Sequence, residues 1–500
     1  MLTISPGQLT LDQLRSSFHH WTPIQLDPTC WSAVESSYQV VQRLLKTGKS
    51  IYGLNTGFGL LASKRISDES LAQLQLNLVR SHCAGVGELL TADVVRMMLL
   101  LKLSSLARGY SGVRAEVIRC LVDVHNAGIV PCIPSQGSVG ASGDLAPLAH
   151  MSRALIGEGD VILDDGRKMP TMDALVDQGI TPLVLGPKEG LALLNGTQVS
   201  AALALVGLFQ TERIFSAAIV AGAMSVEADM GSHAPFDARI HQVRNHPSQI
   251  QCAAMFRDLL AGSRLQQSHI DCDRVQDPYS LRCQPQVMGA CLQSIQHARD
   301  VLQREANAVS DNPLVFADTQ EILSGGNFHA EPVAMVADQL AVAIAEIGAL
   351  SERRIALLID QHLSNLPPFL VADGGLNSGF MIPQVTAAAL VSENQHLAGP
   401  VSVTSLPTSA NQEDHVSMAT YAARRLGPMT HNTAYIVAIE LLAAAQGLDF
   451  RLPLQTSEKL SQVHQRIRTI AKNYQTDRAF DQEIQAVKDL VLQSHWLELA

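Results

Sequence analysis

The chain has 500 residues, 47% of them hydrophobic and only 4% aromatic, with a formal net charge of −11 at pH 7. Mean hydropathy is +0.12 and the isoelectric point is near 5.8, values that fit a heavily buried globular protein with ample material for a large core. The acidic balance and the lack of any basic run exclude a phosphate-tracking nucleic-acid binder, and the abundance of alanine and leucine favours helix packed on helix over sheets.

The start, Met1-Leu2-Thr3-Ile4-Ser5-Pro6, has neither a basic segment nor a long apolar one, so no secretory leader is expected and the cytoplasm is the expected location. Residues 8 to 48 predict short helices. Thr10-Leu11-Asp12-Gln13 has the pattern of a helix start, and Val40-Val41-Gln42-Arg43-Leu44-Leu45 that of an amphipathic turn. Tyr52-Gly53-Leu54-Asn55-Thr56-Gly57-Phe58-Gly59 sets three glycines around two aromatics, a composition for a close-fitting loop. Helices return from about 67 to 127, and Arg108-Gly109-Tyr110-Ser111-Gly112 interrupts them. That interruption is the softest boundary in the chain, separating a domain over 1–110 from one over 111–500.

Beyond the glycine-rich stretch 137–150, Val161-Ile162-Leu163-Asp164-Asp165-Gly166-Arg167 predicts a hairpin through its Asp-Gly pair. Gly190 to Thr211 carries no charge and imitates a membrane span. Its Asn195, Gly196, Thr197, Gln198 and Ser200 instead favour a buried helix, and no membrane partner is expected. The remainder reads as helical almost to the end: Glu331 to Gln361, about 45 Å long at 1.5 Å per residue, Met429 to Leu448, and amphipathic helices over 457–497. The eight cysteines (30, 83, 120, 132, 252, 272, 283, 291) form no C-x-x-C pair and predict reduced, mostly buried thiols. His233, His241 and His246 are spaced too loosely for a helical metal pair, and no H-E-x-x-H occurs, so no metal is expected.

The most informative stretch is Gly137-Ser138-Val139-Gly140-Ala141-Ser142-Gly143-Asp144-Leu145-Ala146-Pro147-Leu148. It lacks G-x-G-x-x-G and Gly-Lys-Ser/Thr, and Asp144 stands where a nucleophile elbow needs glycine, which excludes three glycine-loop chemistries. A glycine turn ahead of a helix remains one reading. The other is chemical: in a tightly bent backbone the amide nitrogen of Gly143 can reach the carbonyl carbon of Ala141, because glycine has no Cβ to block it. Ring closure, with loss of the Ser142 hydroxyl, would give 4-methylideneimidazole-5-one (MIO). This is an electrophile, which ordinary side chains do not provide.

This stretch resembles the signature of the aromatic amino acid ammonia-lyases, and further motifs extend the likeness from about residue 50 to about 450. The resemblance implies a mainly α fold, a long central helical bundle of the fumarase/aspartase-like superfamily with a smaller N-terminal domain. It implies MIO formed autocatalytically from Ala141, Ser142 and Gly143 with no external cofactor, and a homotetramer whose active sites draw on more than one subunit. It points to Tyr52 as the base that removes the β-proton. A phenol titrates near 10 unperturbed, so Tyr52 would need positive or hydrogen-bonding neighbours; by residue type alone a loop tyrosine is a packing residue.

Gln276-Asp277-Pro278-Tyr279-Ser280-Leu281-Arg282 matches the family's Q-D-x-Y-S-x-R segment. By resemblance Arg282 pairs with the substrate carboxylate, Tyr279 assists proton transfer and Gln276 binds substrate; the plain alternative is a surface ion pair and a helix cap at Asp277. Asn195 would donate to the carbonyl of the prosthetic group or be a satisfied core amide, and Phe328, in Gly325-Gly326-Asn327-Phe328-His329-Ala330, would wall the pocket or simply be core. Ser81-His82 and Gln412-Glu413-Asp414-His415 resemble the histidine-specific branch. An imidazole N–H needs an acceptor, whereas a phenyl ring would leave a buried carboxylate unpaired. The expectation is deamination of L-histidine to trans-urocanate and ammonia. The alternatives are another aromatic amino acid as the substrate of a lyase or aminomutase, or an inactive helical scaffold.

Overall fold

A computed structural model of the chain describes residues 1–48, 50–57, 64–268, 275–494 and 496–497. Phe58 and Gly59 of the glycine-rich loop, and Cys272, lie outside the described residues. The fold is mainly α. In chain order the helices are α1 (Leu11–His19), α2 (Cys30–Lys46), α3 (Leu71–His82), α4 (Ala92–Leu106), α5 (Ala115–Asn126), α6 (Leu145–Leu155), α7 (Thr171–Asp177), α8 (Glu189–Leu194) and α9 (Gln198–Ala228). They continue with α10 (Ala238–Arg244), α11 (Pro247–Leu260), α12 (Arg264–Ser268), α13 (Tyr279–Arg282), α14 (Gln284–Ala306) and α15 (Glu331–Ile359). The last are α16 (Gln361–Ser364), α17 (Met381–Leu397), α18 (Ala419–Arg424), α19 (Leu426–Phe450), α20 (Glu458–Ile470) and α21 (Asp481–Gln493).

Compactness divides the chain into two units, each built from three segments. The first comprises Met1–Gly207, Arg299–Asp338 and Pro400–Arg424. Here Thr10 starts α1 with a full capping box: its hydroxyl accepts from the Gln13 N–H, and Gln13 Oε1 accepts from the Thr10 N–H. The expected hairpin forms between Asp160–Ile162 and Lys168–Pro170, closed by the Gly166 N–H on the Leu163 carbonyl at 2.8 Å. The interruption near residue 110 is a turn inside this unit. Gly109 and Gly112 take φ of +78° and +66°, which lets α4 and α5 pack on one another.

The second unit comprises Leu208–Ala298, Gln339–Gly399 and Arg425–Ala500. Helices α17, α20 and α21 pack against α19, and Ile355, Ala387, Val391, Ile436 and Ile439 form a buried cluster. In the same unit Glu440 is buried against Arg354, whose Nη2 donates at 2.7 Å, and it also accepts from the hydroxyls of Ser225 and Ser351 at 2.7 and 2.6 Å.

Two expectations need correction. The uncharged run Gly190–Thr211 is not one helix, because α8 ends at Leu194 and α9 begins at Gln198. Asn195 is extended and Gly196 has φ +134°, so the backbone turns where a continuous helix would have carried Asn195 past its partners. The region beyond 190 is also less uniformly helical than its composition suggests. A hairpin pairs Leu314–Phe316 with Glu321–Leu323, and no α-helix lies between Leu397 and Ala419. Three stretches, Gln198–Ala228, Glu331–Ile359 and Ala419–Phe450, are long and apolar enough to cross a membrane, yet 89%, 61% and 83% of their most apolar windows are buried in the protein.

Candidate active site

The Ala141-Ser142-Gly143 stretch lies just ahead of α6, with Gly140 and Gly143 at φ +66° and +73°, a region that glycine occupies without steric penalty. Gly143 pairs with Gly196 in an isolated bridge. A Cβ on Gly143 would lie 2.1 Å from the Gly196 carbonyl oxygen, so two glycines are what allow the backbones to touch.

Asp144 fixes this approach from behind. Fully buried, it accepts from the backbone N–H groups of Val199 and Ser200 at 3.0 and 2.8 Å, in the first turn of α9. It also accepts from the hydroxyls of Ser200, Thr420 and Ser138 at 2.9, 2.6 and 3.1 Å. Burial pushes its carboxyl above the ordinary range, against the opposing pull of those hydrogen bonds. The helix N-terminus and three hydroxyls thus do the work that a cation would otherwise do.

The break between α8 and α9 delivers Asn195, whose Nδ2 donates to the Ser142 carbonyl at 2.8 Å. Its Oδ1 is buried with no hydrogen-bond partner among the described residues. Behind Asn195 stands Lys102, a buried cation inside the apolar helix α4, which donates to the Asn195 carbonyl at 2.8 Å and to Gln198 Oε1 at 3.3 Å. Burial brings the Lys102 ammonium down to about 7.

Glu413 reaches the same place from the segment that follows α17. Its Oε1 accepts from the Ser142 hydroxyl at 2.5 Å, and Oε2 from the hydroxyls of Thr408 and Ser409 at 2.7 and 2.8 Å. Burial raises its carboxyl, but these three hydrogen bonds, with a smaller contribution from His82, outweigh burial, and the net shift is downward. The loop is bent by three successive residues with positive φ, Ser409, Ala410 and Asn411. His82, at the end of α3, holds its Nδ1 2.9 Å from the Leu78 carbonyl. A carbonyl can only accept, so Nδ1 carries the proton and Nε2 is left as the acceptor of the neutral ring. Burial lowers the pKa of His82 and favours that neutral form.

These groups share a cavity of about 820 Å³ within the first unit. Of the residues expected from sequence, Tyr52, His82, Ala141, Ser142, Asn195, Phe328 and Glu413 line it, and Gly143 adjoins Ser142. Gln276, Tyr279 and Arg282 do not; they belong to the second unit, where Arg282 lies 4.5 Å from the Tyr279 ring and its Nε donates to the Asp277 carbonyl at 3.0 Å. Tyr279 is 70% exposed and Gln276 is exposed. The N-cap of α13 is Pro278 and not Asp277, whose carboxylate accepts from the Ser232 N–H at 2.7 Å. Of the histidines weighed as metal ligands, His233 bonds Glu227 and His241 bonds the Pro235 carbonyl and Gln249.

Sequence reasoning missed Lys102, Asp144 as an anchor, and the pair His329 and His415, which also lines the cavity. Lys102 does leave a signal: a lone cation within Met97-Met98-Leu99-Leu100-Leu101-Lys102-Leu103 has to find acceptors once the helix is buried.

The family model for aromatic amino acid lyases matches residues 9–469. The chain is 59% identical over 491 residues to histidine ammonia-lyase of Vibrio cholerae serotype O1, covering 98% of this chain and 96% of that protein. Its fold is similar to that of histidine ammonia-lyase from Trypanosoma cruzi, with a TM-score of 0.92, 40% identity and coverage of 98% and 93% of the two chains. It is also similar to Pantoea agglomerans phenylalanine aminomutase, with a TM-score of 0.95, 30% identity and 99% coverage of each chain. With its signature stretch bent as described and its length matched almost throughout, the chain belongs to the aromatic amino acid lyase family, the enzymes that break carbon–nitrogen bonds to release ammonia.

Proposed function

We propose that the protein converts L-histidine to trans-urocanate and ammonia, with Ala141-Ser142-Gly143 cyclised to MIO. The observation that carries the substrate is Glu413, a carboxylate on the cavity wall held by the hydroxyls of Thr408 and Ser409, with His82 on the same wall; cyclisation, which removes the Ser142 hydroxyl, leaves its Oε1 free to accept from substrate. An imidazole N–H can donate to the Glu413 carboxylate, whereas a phenyl ring would bury it unpaired. The residues present fit the prosthetic group. Cyclisation would retain the Ser142 carbonyl oxygen on the ring, and Asn195 already donates to that oxygen. The positive φ of Gly143 and its contact with Gly196 hold the backbone compact.

When formed, the group supplies the electrophile that the reaction otherwise lacks. This chain's residues do the rest. Asn195 orients and polarises the Ser142 carbonyl. Glu413 accepts from the substrate imidazole N–H, which fixes the ring's orientation, and His82 lines the same cavity. Tyr52, on the cavity wall, takes the β-proton on its phenolic oxygen. Phe328 walls the pocket and excludes water. Gln276, Tyr279 and Arg282 complete the site from another copy of the chain in a homotetramer: Arg282 pairs with the substrate carboxylate, and Tyr279 assists proton transfer. We place the enzyme in the cytoplasm, a reading supported by free thiols at all seven described cysteines.

Ultraviolet assays with histidine, phenylalanine and tyrosine in turn, paired with intact mass, test the proposal. Urocanate forms from histidine alone, and the chain is lighter by two waters. A preference for phenylalanine, or full activity at the uncyclised mass, overturns it. Tyr52→Phe removes most turnover and leaves the absorbance of the prosthetic group; near wild-type activity would dismiss Tyr52 as the base.

A further inference from the structure

His329 and His415, on the wall of the cavity, and Glu331 each offer one ligand atom, and these atoms lie within 4.8 Å of one another. The reaction proposed above uses none of the three. His329 Nε2 lies 3.2 Å from the His415 carbonyl oxygen. Since that oxygen can only accept, Nε2 holds the proton and Nδ1 presents its lone pair. This is how metal-bound histidines are oriented, with the far nitrogen donating to a carbonyl. His329 Nδ1 in turn faces Glu331 Oε2 at 4.0 Å. Two acceptors facing one another repel unless a cation stands between them.

A second observation is independent of the first. Glu331 Oε2 is shut off from solvent and has no hydrogen-bond partner among the described residues, and an orphaned carboxylate oxygen is costly. The rings of His329 and His415 stack with centroids 5.7 Å apart and planes 24° from parallel, which brings the second imidazole alongside.

We propose that His329 Nδ1, Glu331 Oε2 and a ring nitrogen of His415 bind a divalent transition-metal ion of the zinc class. Two imidazoles and one carboxylate are a donor set for that ion, and three protein ligands leave a fourth position open for water or a small ligand. Bonds of about 2.0–2.1 Å put tetrahedral ligands about 3.3 Å apart. The ligand atoms therefore have to close by up to about 1.5 Å, a movement that half-buried and exposed groups can make. The competing occupant of the gap is a proton on His329 Nδ1, which would make the pair with Glu331 an ordinary ion pair.

Full-length protein freed of metal by chelator dialysis and titrated with Co²⁺ reads the site through visible ligand-field absorption, without reference to turnover. We expect one Co²⁺ per chain, displaced by Zn²⁺, with affinity at least tenfold weaker in both Glu331→Gln and His415→Ala. No stoichiometric binding overturns the proposal, as does an affinity unchanged in both variants. Should a variant fail to fold, wild-type protein alone decides. Zn²⁺ should protect His329 and His415 from diethyl pyrocarbonate, mapped by peptide mass, and equal modification with and without Zn²⁺ would refute the site.

Discussion

Each unit of the protein buries a carboxylate in its core, and the two are satisfied in opposite ways. In the second unit Glu440 is matched by a cation, Arg354, with the hydroxyls of Ser225 and Ser351 completing its shell. In the first, Asp144 has no contacting cation among the described residues and is held by two backbone N–H groups and three hydroxyls. A charge pair constrains side chains on helices that would exist without it. A carboxylate that collects backbone donors constrains the backbone itself, here the Gly143–Gly196 contact that shapes Ala141-Ser142-Gly143. The first arrangement belongs to stability and the second to chemistry.

If that contrast holds, the largest effect comes from the Asp144 side. Gly143→Ala forces a Cβ to within 2.1 Å of the Gly196 carbonyl oxygen, and Asp144→Ala removes the shared acceptor of five donors. We predict that either variant lowers kcat by about 10³-fold or more, equivalent to about 4 kcal/mol, and keeps the mass of the uncyclised chain. A normal mass loss in both would break the distinction. On the other side, Glu440→Ala leaves Arg354 charged and unpaired. We expect about 3–5 kcal/mol less stability by denaturant titration, with kcat per folded molecule unchanged. The double replacement Arg354→Met with Glu440→Leu should recover most of that loss, because apolar side chains of similar volume often replace a buried pair without penalty. A double variant as unstable as Glu440→Ala would show that Glu440 acts as Asp144 does.

Glu413 sharpens the comparison, being a carboxylate held by hydroxyls alone yet placed to meet a ligand. Glu413→Gln should lower kcat/KM for histidine by about 10- to 100-fold, in line with about 1.5–3 kcal/mol for a hydrogen bond to a charged group. An unchanged value would remove Glu413 from substrate recognition.

The smallest effect concerns a buried group with neither kind of support. His125 is 4% exposed, its Nε2 lies 3.3 Å from the Thr22 carbonyl, and its Nδ1 is buried without a partner among the described residues. Burial lowers its pKa below the ordinary value. As pH falls through about 6.5, the unfolded chain therefore takes up a proton that the folded chain refuses. Stability from this residue is complete above that pH and falls as pH drops toward the lowered folded value, by up to about 1.4 kcal/mol per pH unit. Thermal unfolding midpoints measured across this range should slope less steeply in His125→Gln. An identical slope would assign the acid sensitivity to other groups.

Much of this was legible in the letters, and the exceptions have a common cause. The Thr10 cap, the hairpin at Asp165-Gly166 and the long helices all depend on neighbours in sequence, where propensity and turn chemistry act. The break at Asn195-Gly196-Thr197 was hidden because composition made Gly190–Thr211 look continuous. What stops the helix is its role against Ser142, some fifty residues earlier in the chain. Lys102 is hidden in sequence for the same reason, since its acceptors are Asn195 and Gln198. The cavity residues Tyr52, His82 and Glu413 were found only through family likeness; none of them carries a local signal that distinguishes a chemical role from packing. Gln276, Tyr279 and Arg282 come from one motif, yet they do not line the cavity, and by local geometry they read as an arginine packed on an exposed tyrosine.

Of the five donors around Asp144, the last to be synthesised is the hydroxyl of Thr420. A ribosome must therefore deliver roughly four fifths of the chain before the anchor is complete. Prematurely ended or nicked products lacking that segment should accumulate as inert polypeptide, giving the cell a built-in safeguard against half-made catalysts.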